Sequence, residues 1–257
     1  MLANQIRSWS EAAANLLYPP VCCGCDHHLV RQPFHRGPER WLCTVCEDQL
    51  QRIRDPYCAR CGEAYDGALE GEFRCENCAD RELSFDFAIA AWRAESVVRD
   101  LILKFKYGRE LHLRSCLGDL MLPVLEEPRL KAETLSEWLL VPVPLHGVRM
   151  REREFNQSEE LARHLAKATG IRMENVLLRR RDTGHQAGLS RADRLANLRS
   201  AFAVKSAFQK RNGRLVGRKV LVVDDVFTTG ATTDACARIL RREGGVEKVV
   251  VITVARG

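Results

Sequence analysis

A chain of 257 residues, 46% hydrophobic and 29% charged, has room for one α/β domain and a small additional module. No apolar run approaches the ~20 residues that a bilayer crossing needs. The formal charge of +6 tolerates anionic ligands without demanding nucleic acid. A membrane-spanning chain is excluded, and a globular cytoplasmic protein is expected.

Residues 1–18 place Leu2, Ile6, Trp9, Ala13, Leu16 and Leu17 at helical spacing. With one early Arg and no unbroken apolar core, the segment reads as an amphipathic helix rather than a signal peptide.

Residues 19–83 carry four C-x-x-C pairs: Cys22/Cys25, Cys43/Cys46, Cys58/Cys61 and Cys75/Cys78, separated by 17, 11 and 13 residues. Each pair turns two thiolates to one side of a short knuckle, and two knuckles complete a tetrahedron around Zn²⁺. Four knuckles predict two closed, structural Cys₄ zinc sites. Sequential pairing of the knuckles closes shorter loops than a cross-braced arrangement and is favoured. A redox pair would need a βαβ context that this region lacks. Cys23 is the odd thiol between two ligands, Cys116 and Cys236 read as buried hydrophobes, and His27, His28 and His35 read as surface.

Residues 84–257 alternate strands and helices. Strands are expected at 85–92, 138–146, 218–225 and 246–256, and helices at 95–110, 111–125, 156–170 and 231–245. This alternation predicts a parallel sheet with helices on both faces and ligands at the carboxyl ends of its strands. There "VVDDVFTTGAT" (222–232) ends a buried strand with Asp224 and Asp225. Backbone N–H groups at the following helix start form an anion cradle, to which Thr228, Thr229 and Thr232 add hydroxyls and Gly230 close backbone approach. Carboxylates directly before such a cradle suit a sugar phosphate, whose vicinal hydroxyls they accept. The alternative, that the aspartates only cap the next helix, is disfavoured because neither adjoins its start.

This stretch resembles the phosphoribosyl-pyrophosphate (PRPP) motif of type I phosphoribosyltransferases. With the cysteine pairs, "PVPLHGVRMREREFNQSEELA" and "HQAGLSRADRLANLRSAF", the chain resembles the ComF/GntX family over most of its length. The resemblance implies a double zinc ribbon before a phosphoribosyltransferase-like domain. It makes Asp224 and Asp225 the catalytic acids on the ribose hydroxyls. Thr228, Thr229, Gly230, Ala231 and Thr232 become the 5-phosphate loop, with magnesium arriving on PRPP. The expected reaction passes phosphoribose to a nitrogenous base and releases pyrophosphate. The alternative is accessory binding of single-stranded DNA or a DNA-uptake helicase without turnover.

The resemblance also places a pyrophosphate loop at Leu145 and His146, with Arg151, Arg153, Lys104 and Lys106 nearby. These arginines can equally be a solvated face, and the lysines can equally end a helix favourably against its dipole. Glu154 stands where the family usually has glycine. The basic stretch 179–199 takes the place of a flexible catalytic loop with Arg181, Gln186 and Arg194, although 194–201 also fits a short packed helix.

Overall fold

A computed structural model describes residues 19–29, 40–68, 71–180 and 201–257. The expected N-terminal helix and the loop residues Arg181, Gln186 and Arg194 lie outside them. Five parallel strands form the central sheet in the order β1-β7-β6-β2-β3: β1 (Phe87–Arg93), β2 (Trp138–Pro142), β3 (Arg172–Met173), β6 (Lys219–Phe227) and β7 (Lys248–Arg256). β4 (Leu177–Arg179) and β5 (Phe202–Val204) make a separate antiparallel pair flanking the basic stretch.

The inner strands are apolar almost throughout because both faces of the sheet are covered. Alternate residues divide between two cores. Leu221, Val223, Val250 and Ile252 pack with α1 (Ser96–Tyr107), α2 (Leu113–Met121) and α4 (Gln157–Thr169). Val220, Val222, Val249 and Val251 pack with α5 (Ala231–Ile239). The zinc-ribbon cysteines divide the same way. Cys22 and Cys46 join the first core, whereas Cys58, Cys61, Cys75 and Cys78 join the second. The two ribbons therefore buttress opposite faces of one sheet.

Local sequence explains where the elements stop. The α-helix expected over 111–125 ends at Met121 and tightens into a 3₁₀ turn containing Pro123, which has no N–H to continue the ladder. α4 ends at Gly170 in the left-handed conformation that glycine adopts freely. A short helix, α3 (Gly147–Arg153), follows Leu145 and His146, where the resemblance implies a pyrophosphate loop. None of its residues is buried, so it carries no apolar periodicity to betray it.

Candidate functional site

The eight paired cysteines fall into two groups, Cys22/Cys25/Cys43/Cys46 and Cys58/Cys61/Cys75/Cys78, with all Sγ atoms of a group within 4.8 Å of one another. Cys25 and Cys43 stand 3.6 Å apart at sulfur, Cys61 and Cys75 3.5 Å. Zn–S bonds of ~2.3 Å give a tetrahedron whose edges are ~3.8 Å, so these cages fit zinc and are far too open for disulfides. The N–H of Cys43 donates to Cys22 Sγ and that of Cys75 to Cys58 Sγ, as acceptor thiolates require. Both are Cys₄ zinc sites with sequential knuckle pairing. Four thiolates leave no open position, so the metal holds the fold. His27 and His28 are exposed.

Across the sheet, the carboxyl end of β6 carries the aspartates. Strand alternation sends Asp224 and Asp225 to opposite faces. Asp225 is buried and takes an ion pair from Lys106 of α1, with Nζ 2.8 Å from Oδ1. Asp224 is partly exposed. It accepts from Ser158 Oγ at 2.8 Å and from the Asp225 backbone N–H at 3.0 Å. Loss of solvation, followed by repulsion from Asp225, raises the Asp224 carboxyl to about 7, although Lys106 and Ser158 oppose the shift. Neither aspartate caps α5, whose cap position is Gly230 with no side-chain hydrogen bond.

The loop from β6 to α5 leaves Thr228 and Thr229 exposed, and Ala231 and Thr232 partly so. Gly230 is required twice over. Its φ is +72°, and an added Cβ would lie 2.4 Å from Cζ of Phe227. Thr233 Oγ1 turns back to the Gly230 carbonyl, which keeps it out of the cradle. The exposed loop thus sets the first turn of α5 beside threonine hydroxyls, with Thr229 Oγ1 accepting from the Ala231 N–H at 3.4 Å; a helix start of this kind is suited to an anion.

The residues expected at a pyrophosphate loop divide. Leu145 and His146 lead into α3, where His146 Nδ1 accepts from the Val148 N–H at 3.4 Å. Arg151 is exposed. Arg153 donates to Gln157 at 3.1 Å and lies 5.2 Å from the Tyr107 ring centre. Glu154 has φ +68°, the left-handed conformation that glycine adopts most freely. Its carboxylate pairs with Arg109, itself at φ +58°, across 2.6 Å. Lys106 reaches the aspartates, but Lys104 turns to the first ribbon, 3.3 Å from the Gly24 carbonyl and 3.5 Å from Asp26.

Three contributors escaped sequence reasoning. Ser158 lies in an ordinary helical pattern, and only the proximity of α4 to β6 brings it to Asp224. From the ribbon junction Arg81 reaches the Thr229 carbonyl in the β6–α5 loop, and from the end of β7 Arg256 reaches the Phe227 carbonyl where that loop begins.

Residues 13–79 match the double zinc ribbon domain. Over 216 residues the chain is 29% identical to competence protein F of Haemophilus influenzae, covering 84% of this chain and 90% of that one. It is 29% identical over 232 residues to the DNA utilization protein YhgH of Escherichia coli, covering 89% and 94%. With competence protein ComFC of Streptococcus pneumoniae it shares 25% over 223 residues, covering 86% and 90%. Among solved structures, an allosteric regulatory enzyme of purine biosynthesis aligns at TM-score 0.37 and 21% identity, over 59% of this chain and 30% of that one. A glutamine PRPP amidotransferase from B. subtilis aligns at 0.36 and 21%, over 58% and 30%. The chain is thus similar over most of its length to proteins named competence protein F, ComFC and DNA utilization protein YhgH, and it joins a double zinc ribbon to a parallel-sheet α/β domain.

Proposed function

We propose that the carboxyl end of the sheet binds PRPP or another phosphorylated ribose and passes the phosphoribosyl group to a nitrogenous base, releasing pyrophosphate. The observation that carries this reading is the pairing of a partly exposed carboxylate, Asp224, with the Gly230-centred anion loop at the end of one strand. Asp224 accepts a ribose hydroxyl. Thr228, Thr229 and Thr232, with the N–H groups at Ala231 and Thr232, take the 5-phosphate. Asp225 holds Lys106 beside the site, where its ammonium supplies a point charge for a phosphate group. Arg151 and Arg153 of α3 flank the side where pyrophosphate would leave. Magnesium accompanies PRPP and neutralises its diphosphate. The protein's contribution is position and fixed charge: the ribose is held at both ends while the bond from C1 to pyrophosphate breaks and a C1–N bond forms. The cytoplasm, where nucleotides are made, is the proposed compartment. Among the described residues no helix is long and apolar enough to cross a membrane.

The relatives' names, competence protein and DNA utilization protein, favour a second reading in which the site serves binding to single-stranded DNA or an uptake helicase without turnover. Calorimetric titration of Mg–PRPP into the zinc-loaded protein tests the first reading. Binding is expected, and D224N/D225N should abolish it. A folded native protein that takes up no PRPP refutes the reading and turns the search to single-stranded DNA.

A further inference from the structure

The second zinc ribbon and the phosphate loop, far apart in the chain, are joined by continuous contacts. Arg60 lies inside the Cys58/Cys61 knuckle and donates to the carbonyls of Leu83 and Asp86, each at 2.6 Å. Those carbonyls bracket Ser84, whose N–H donates to Asp234 Oδ1 at 2.6 Å in the first turn of α5. They also bracket Phe85, fully buried, whose ring meets Phe227 edge-on at 5.9 Å. Phe227 is the ring against which Gly230 turns.

Two arginines close the network from either side. Arg81, three residues beyond the last cysteine ligand, donates to the Thr229 carbonyl at 2.8 Å. Arg256, with a side chain only 8% exposed, pairs with Glu63 and lies 4.0 Å from the ligand Cys61 Sγ. It also donates to the Phe227 carbonyl at 3.3 Å and lies over that ring. A Cys₄ zinc centre carries two net negative charges, which gives this largely buried guanidinium a counter-charge beyond Glu63.

The first ribbon has different neighbours. Gly24 and Asp26 meet Lys104, and Trp41 donates to Asp119 of α2. Among the described residues none of these contacts reaches 227–234.

We infer that the second zinc ribbon is the positioning element of the phosphate loop, with Arg60, Arg81 and Arg256 as positioning residues, so that zinc at Cys58/Cys61/Cys75/Cys78 and a phosphorylated ribose in the loop stabilise one another. The inference rests on the proposed function for its ligand, but the bracing of the loop stands on the contacts alone. A loop already held in its binding conformation loses less entropy when the anion arrives, and linkage makes the benefit reciprocal.

Amide hydrogen exchange and Mg–PRPP titration on the zinc-loaded full chain test it. R81A should retain two zinc ions while exchange at 228–233 accelerates about fivefold and the PRPP Kd rises by a similar factor, the size of one net hydrogen bond. R81K, which can still donate, should restore both. Saturating PRPP should slow zinc release to a chelator from the second site and leave the first unchanged, with C25S marking the first. Native exchange rates in both R81A and R60A overturn the bracing. A native protein that binds no PRPP overturns the functional reading instead, and the exchange comparison still decides whether the ribbon holds the loop.

Discussion

Replacing Asp224 with Asn should make the protein more stable at pH 8 while removing its affinity for a phosphorylated ribose. The carboxyl of Asp224 titrates near 7, raised from an ordinary value of 3.8 mainly by lost solvation and then by Asp225. The folded state therefore holds a proton that the unfolded chain has already released between about pH 4 and pH 7, and stability falls as pH rises through that window. A shift of about three units corresponds to at most ~4 kcal/mol. Because Asp224 is partly open to water, roughly half of that, ~2 kcal/mol, is the expected penalty at pH 8. Asparagine cannot ionise, yet its carbonyl can still accept from Ser158 Oγ and from the Asp225 N–H. Urea unfolding of the zinc-loaded proteins should show the variant's advantage growing with pH, from ~0.8 kcal/mol at pH 5 to ~2 kcal/mol at pH 8. The ribose hydroxyl, in contrast, needs the ionised acceptor, so ligand affinity in the native protein should climb between pH 6 and 8. A variant no more stable than the native protein at pH 8 would refute the argument that this carboxylate is held at a cost to folding.

Removing Lys106 (K106A) leaves Asp225 buried without its cation and should cost ~3 kcal/mol in urea unfolding. Adding D225N to that variant should recover most of the loss, and no recovery would mean that Lys106 acts through its packing. G230A forces a side chain to φ +72° and against the Phe227 ring, so a loss of ~3 kcal/mol is expected, together with loss of PRPP binding by calorimetry. Elemental analysis should find two zinc ions per chain. Stripping them with a chelator should collapse the near-ultraviolet circular dichroism, since both cages belong to the packed cores.

The zinc centres were legible because their signal is local. A C-x-x-C knuckle makes its half-site within four residues, and short spacers select sequential partners. The end of β6 was legible for a similar reason: an apolar run, two acids and a Thr-Gly-Ala-Thr turn are contiguous in the chain. Gly230 and Glu154 show the limit of such reading. Glu154 sits in a left-handed turn that no local signal announces, and its carboxylate's partner, Arg109, depends on how the end of α1 approaches α3.

Lys104 and Lys106 make the division plain. Both stood as pyrophosphate candidates on one helix, but two residues on an α-helix point ~200° apart. Lys106 meets Asp225 while Lys104 faces the first ribbon. The sequence by itself determined the long strands and helices, which cysteines share a metal and which strand ends in acids, because periodicity and short spacing act over one or two turns; α3 and the short strands β3, β4 and β5 carried no such pattern. Tertiary structure alone decided that the ribbons lie on opposite faces of the sheet, that Ser158 meets Asp224, and that Arg81 and Arg256 reach the Thr229 and Phe227 carbonyls at the β6–α5 turn. Those contacts join residues 66, 148 and 29 positions apart, and the strand order β1-β7-β6-β2-β3, with the helices packed on it, brings them together.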